Sequence, residues 1–212
     1  MKTRIILLLG AIILSSSLLA QKKNQSELLN DIYIGYGAGS VYYFTGTVNH
    51  DYQELSSYYY YDDNENEPRS VGTFFFGYQR QLTKVISLGF AFSYMKLEQD
   101  IRYETYSYYG DSVWVYEGTS TDHLLNGITR VVFGYLDKPA LKLYSAAAIG
   151  VTVDLAKASL NGKEDSDRKI LPAGQLTFIG IRAGRSLGGF LEFGIGTNGI
   201  INAGVSYKIG DE

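Results

Sequence analysis

The chain has no cysteine, three prolines, two histidines and one tryptophan in 212 residues. Without cysteine, neither a disulfide framework nor a lipid-modified cysteine anchor is possible. With proline confined to Pro68, Pro139 and Pro172, long stretches lack the one residue that cannot donate to a sheet ladder. Beyond the N-terminal segment no run of about 18 uncharged apolar residues occurs, so no later segment can cross a bilayer as a helix. That absence does not count against membrane strands, for which about ten alternating residues suffice. A net charge of −3 argues against a nucleic-acid partner.

What is present begins with Lys2 and Arg4, then IILLLGAIIL, then SSSLLA before Gln21. A charged start, a short apolar core and a terminal small residue describe a secretory signal peptide over residues 1–20. The run falls short of the ~20 residues that a membrane anchor needs. Residues 21–212 then form one expected domain, rich in glycine (24), tyrosine (19) and phenylalanine (10).

The C-terminal run 173–209 sets the pattern. Ile179, Ile181, Ala183, Leu191, Phe193, Ile195, Ile201, Ala203, Val205 and Tyr207 fall on one parity. Gly180, Arg182, Gly184, Glu192, Gly194, Gly196, Asn202, Gly204 and Ser206 fall on the other. Period-two alternation across three segments separated by RSLGG and GTNG predicts antiparallel strands. The charges share a face with the glycines, opposite the large apolar side chains. A soluble barrel would turn its large apolar side chains inward; this pattern fits a barrel whose solvent is lipid.

The same alternation predicts strands over 31–43, 70–81, 86–97, 123–136 and 141–155, with Phe74, Phe76, Phe90, Phe92, Leu125 and Ile149 outward. Gly35, Gly37, Gly77, Gly89 and Gly150 face inward. The count is eight. Polar links 45–69, 98–121 and 156–173 alternate with short turns, apart from the short final link GTNG. Long outer loops, short periplasmic turns and an even strand number describe an outer-membrane barrel whose N-terminus starts in the periplasm. In this register Arg130, Arg182 and Glu192 point inward, while Arg80, Arg185 and Lys96 face outward only at strand ends.

The stretches FFFGYQRQLTKVISLGFAFSY, GIRAGRSLGGFLEFGIG and INAGVSYKI, together with the leader, resemble the small eight-stranded outer-membrane β-barrel proteins of Gram-negative bacteria, of the OmpX/OmpA-barrel type. The resemblance covers essentially the whole mature chain through patterns rather than catalytic signatures. Such proteins commonly end in an aromatic residue read by the assembly machinery; here Tyr207 and Ile209 precede a Gly-Asp-Glu tail. The expected fold is an all-β, eight-stranded antiparallel up-and-down transmembrane β-barrel. The expected function is non-enzymatic, structural or surface-interacting, with a narrow conduit or small-ligand transporter of the outer membrane as the alternative. A secreted soluble calycin-like binder conflicts with the apolar outer face. Expected partners are outer-membrane lipid and lipopolysaccharide, the assembly machinery, and an extracellular partner at the loops. Nucleic acid is not among them, and no cofactor is implied.

Three clusters are candidates for function. Arg130, Arg182 and Glu192 form an interior charge network, in which the spacing about Leu187 suggests an Arg182–Glu192 cross-strand pair with Arg130 and Tyr144 nearby. Buried charges need such partners simply to be tolerated. Tyr58, Tyr59, Tyr60, Tyr61, Tyr106, Tyr108 and Tyr109 offer either a loop contact surface or an upper aromatic belt on strands that extend past the membrane. Ser120, Asp122 and His123 contain the residue types of a hydrolase, but a serine and a histidine three apart on a strand face opposite ways. Asp62, Asn64 and Asn66 open like a calcium loop, yet Glu67 stands where glycine is needed and Thr73 where a bidentate glutamate is needed.

Overall fold

The structure, a computed structural model, describes residues 29–45, 69–106, 112–138, 140–160 and 163–209. The expected signal peptide lies outside them. The strands are β1 (Asn30–Ala38), β2 (Arg69–Gln81), β3 (Ile86–Tyr106), β4 (Ser112–Lys138), β5 (Leu141–Leu160), β6 (Lys163–Ala183), β7 (Leu187–Gly196) and β8 (Ile201–Ile209). A five-residue helix, α1 (Val41–Thr45), follows β1. Each strand pairs antiparallel with the next, and β1 closes on β8 to complete an eight-stranded up-and-down barrel. Ile34 marks the seam, opposite Phe76 on one side and Val205 on the other.

Alternation makes the two faces opposites. Ile34, Phe76, Phe92, Ile149, Phe193 and Val205 stand on the exterior, and Ile149 is 77% exposed. Arg130, Arg182 and Glu192 are buried inside, Glu192 to 3% exposure. Because successive residues point to opposite faces, one slipped pair would invert a whole strand. The register therefore follows from the side chains as much as from the ladder.

The lumen is filled by a repeated cross-strand device. Inward aromatics stand opposite inward glycines on the neighbouring strand: Tyr33 opposite Gly77, Phe75 opposite Gly35, Tyr144 opposite Gly180, and Phe190 opposite Gly204. A Cβ at any of these glycines would strike the facing ring. The glycine therefore makes room for the aromatic ring, a cross-strand pairing also used to stabilise designed sheets. Tyr33, Phe75 and Phe190 meet edge-on or tilted at 6.1–6.4 Å between ring centroids, forming an apolar middle layer with Ala91, Ile128 and Ala148.

The structure departs from the sequence expectation in three respects. The first strand ends at Ala38 rather than near residue 43, because Gly39 adopts φ +72° and the chain turns inward into α1. Most of the supposed link 98–121 belongs to β3 and β4, and most of 156–173 belongs to β5 and β6. There the ladder continues after the apolar face has ended, so strand geometry persists without a period-two hydrophobic signal. Third, a bulge in β6 places Phe178 and Ile179 side by side on the exterior, where strict alternation would separate them. Pro172 lies in β6 beyond its last β7 pair, Gln175 with Gly196, at an edge position where proline is tolerated.

A Cβ at Gly150 would overlap the Gly127 carbonyl and the Ile128 backbone, whereas one at Gly174 would meet only the Ala148 carbonyl at 3.5 Å. Gly150→Ala is expected to abolish or markedly weaken barrel closure, and Gly174→Ala to leave it intact. The thermal midpoint of unfolding, followed by circular dichroism, reads the difference.

Candidate functional site in the barrel interior

Arg130 on β4 and Glu192 on β7 reach across the lumen and form a direct ion pair. The adjoining strands supply small neighbours at that level: Gly89 on β3 and Ala148 on β5 flank Arg130, and Gly180 on β6 flanks Glu192. A long side chain can therefore rise over each gap. The Tyr144 hydroxyl donates to the same Glu192 oxygen at 2.7 Å. The guanidinium lies 5.6 Å from the Tyr33 ring centroid and 5.7 Å from that of Tyr144, within cation–π range of both. Side-chain exposures of 9% and 4% mean that this charge pair is held by protein rather than water.

Arg182 lies elsewhere. The expected Arg182–Glu192 pair fails because the β6–β7 register sets Gly180 opposite Glu192 and Arg182 opposite Phe190. The hairpin is centred one residue earlier than Leu187, which places Arg182 one inward position nearer the turn. There Arg182 donates from Nε to Ser206 Oγ at 2.6 Å, and from its two terminal nitrogens to the carbonyls of Gly184 and Ser186 at 2.7 and 3.0 Å. Asp31 faces it at 3.7 Å and accepts from Gln79 at 3.3 Å. Arg182 thus pins the β6–β7 turn to β8 at the short-turn end.

At the opposite end a neutral polar layer crosses the lumen. Asn126 donates to Ser93 at 2.8 Å, Thr152 bonds to Asn126, and the Tyr42 hydroxyl lies 2.6 Å from Thr152 and 2.9 Å from the Pro172 carbonyl. Above it Tyr42 packs with Met95, Leu97 and Leu124. The final turn is tucked inward as well, with Ser40 donating to the Thr197 carbonyl at 2.8 Å and Gln175 to that of Gly199 at 3.0 Å.

Tyr58–Tyr61, Tyr108 and Tyr109 lie outside the described residues, as do His50, Asp62, Asn64, Asn66 and Glu67. Tyr106 is placed only as the end of β3. Thr73 is buried in the lumen, its hydroxyl 3.4 Å from the Met95 sulfur. Ser120 and His123 are not brought together. Ser120 is buried on the lumen face, whereas the His123 ring stacks on exterior Tyr94, with Nδ1 2.8 Å from its hydroxyl.

No family model matches the chain, and no curated protein matches it in sequence. The side chains that complete the interior network and were not singled out from sequence are Tyr33, Phe75, Phe190, Asp31 and Tyr42. The signal for the first three was available: each is a large aromatic on the parity otherwise given to glycine.

Glu192→Ala would leave Arg130 buried without its carboxylate, and breaking a buried pair in this way costs about 3–5 kcal/mol. A sharp loss of thermal resistance is expected, with most of it recovered in the double variant Arg130→Met/Glu192→Leu; equal losses in the two would rule out the pairing as the cause. Tyr42→Phe removes only the hydroxyl of the upper layer, and a smaller loss of about 1 kcal/mol is expected in denaturant titrations.

Proposed function

We propose that the chain is an integral outer-membrane β-barrel protein that works without catalysis, as a structural element of the envelope and an interaction surface outside the cell. The observation that carries this reading is the inside-out barrel: bulky apolar side chains such as Ile149 and Phe76 cover the exterior while Arg130, Arg182 and Glu192 are buried. In water such an exterior would be a large aggregation-prone patch. In lipid it is the expected solvent face, and closure leaves no unpaired strand edge in the spanning region.

Strand length supports one orientation. β1, β2, β7 and β8 have 9, 13, 10 and 9 residues, while β3 to β6 have 20 to 27. At ~3.4 Å per residue, the longer four rise far beyond a ~25 Å apolar band. We place that end outside the cell and the short turns around 82–85 and 184–186 in the periplasm. Export by the leader, insertion by the assembly machinery, and contact with lipopolysaccharide and an extracellular partner belong to the same proposal. The narrow-conduit alternative is weaker, since Tyr33, Phe75 and Phe190 fill the middle of the lumen.

The test is fractionation followed by gel electrophoresis with and without heating. A band in the outer-membrane fraction that needs detergent for release and migrates faster unheated is expected. A periplasmic protein, soluble without detergent and without a mobility shift, would overturn the proposal.

A further inference from the structure

Resting on the membrane reading, a second feature of the exterior acquires a specific meaning. On the lipid-facing side of β4 one position lacks a side chain. Gly127 stands between Phe92 and Val151 in the pairing register, with Leu125 one outward step above. Around this gap a groove of about 440 Å³ opens on the exterior, lined by Ile34, Phe74, Phe76, Phe92, Leu125 and Val151. Gly127 is not required by the backbone. A Cβ there would find only the Phe92 ring, at 3.6 and 3.8 Å, and both are ordinary contacts.

The register also shows what lies above the groove. One outward step up from Gly127, the row across β3 to β6 reads Tyr94, Leu125, Val153, Ile170. The next reads Lys96, His123, Leu155, Arg168. This first polar row above the apolar wall contains two permanent cations and a histidine, and no acid. The row beyond it reads Glu98, Thr121, Lys157, Ser166, adding a third cation and one carboxylate. Glu98 is hydrogen-bonded to Lys96 at 2.5 Å, and that ammonium holds the Glu98 carboxyl below its usual range. An ammonium has three donors, so Lys96 retains two. Four strand residues separate Gly127 from His123, a rise of about 13 Å. An apolar groove thus runs up into a cationic rim at the height where lipid head groups lie.

We propose that this face is a binding site for one molecule of lipopolysaccharide, with an acyl chain in the Gly127 groove and its phosphates on Lys96, Arg168 and Lys157. A second copy of the chain fits less well, because its own matching row would set cations against cations. The occupant is an anionic, acylated head-group lipid of the outer leaflet, and the rim and groove recognise its two halves separately.

The experiment uses the mature chain in mild detergent, titrated in parallel with purified lipopolysaccharide and with phosphatidylglycerol, and read by native mass spectrometry and by the thermal midpoint of the fast-migrating band. The wild type is expected to retain one lipopolysaccharide and gain thermal resistance, with a much smaller response to phosphatidylglycerol. Lys96→Gln/Arg168→Gln removes two surface cations, each worth about fivefold near an anionic lipid, and should weaken binding by about 25-fold. Gly127→Leu fills the groove and should weaken binding while leaving lipid-free stability unchanged. Equal responses to both lipids, no lipopolysaccharide response in a wild type that does show the mobility shift, or variants that bind as the wild type does would each overturn the site. A wild type with no mobility shift would instead overturn the membrane reading beneath it.

Discussion

Eight strands enclose an interior only wide enough for side chains, and the arrangement of this protein follows from filling that narrow space. Tyr33, Phe75, Tyr144 and Phe190 could not all stand inward if their cross-strand neighbours carried side chains; Gly77, Gly35, Gly180 and Gly204 make the room. The same scarcity of space determines how charge is kept inside. Arg130 and Glu192 rise over glycine or alanine, meet across the lumen, and are sandwiched by the two tyrosines that the glycines admit. Glycine content, aromatic content and the buried ion pair are therefore one solution to a volume problem.

The interior is layered along the axis as a result. Arg182, Asp31 and Gln79 hold the short-turn end, aromatic rings and the Arg130–Glu192 pair fill the middle, amides and hydroxyls cross above them, and Tyr42, Met95, Leu97 and Leu124 close the top. Each level joins elements that are not sequence neighbours: Arg182 on β6 to Ser206 on β8, Tyr33 and Phe75 to Phe190 on β7, Arg130 on β4 to Glu192 on β7, and Tyr42 of α1 to β3, β4, β5 and β6. The wall is tied locally by its ladder and the filling ties it globally.

How much of this the sequence discloses depends on whether a face has a single solvent. Along Phe74 to Phe76, or Phe90 to Tyr94, one side is exposed and apolar and the other faces a packed lumen, so parity alone gives strand, register and side. From about residue 98 to 121 and from 156 to 173 that contrast lapses while the backbone continues to pair, and these stretches read as polar links although most of each is strand. The interior charges were legible by parity, and Arg130 and Tyr144 were placed near Glu192, but which arginine pairs with it was not legible. Arg182 lost Glu192 to Arg130 through a one-residue difference in where a hairpin is centred, which no composition or alternation encodes. α1 was invisible for a similar reason: VYYFT continues the apolar pattern of the strand before it, and only the left-handed Gly39 diverts the chain.

That diversion has a consequence for the order of events during folding. Tyr42 follows the first strand directly, yet its hydroxyl partners are Thr152 and Pro172, which are 110 and 130 residues further along the chain. The hydroxyl of a residue near the start of the barrel therefore has no partner until the far wall exists. Its two hydroxyl bonds can form only after the fifth and sixth strands are in place. Those two bonds then become a completion mark, made only when most of the barrel has been laid down.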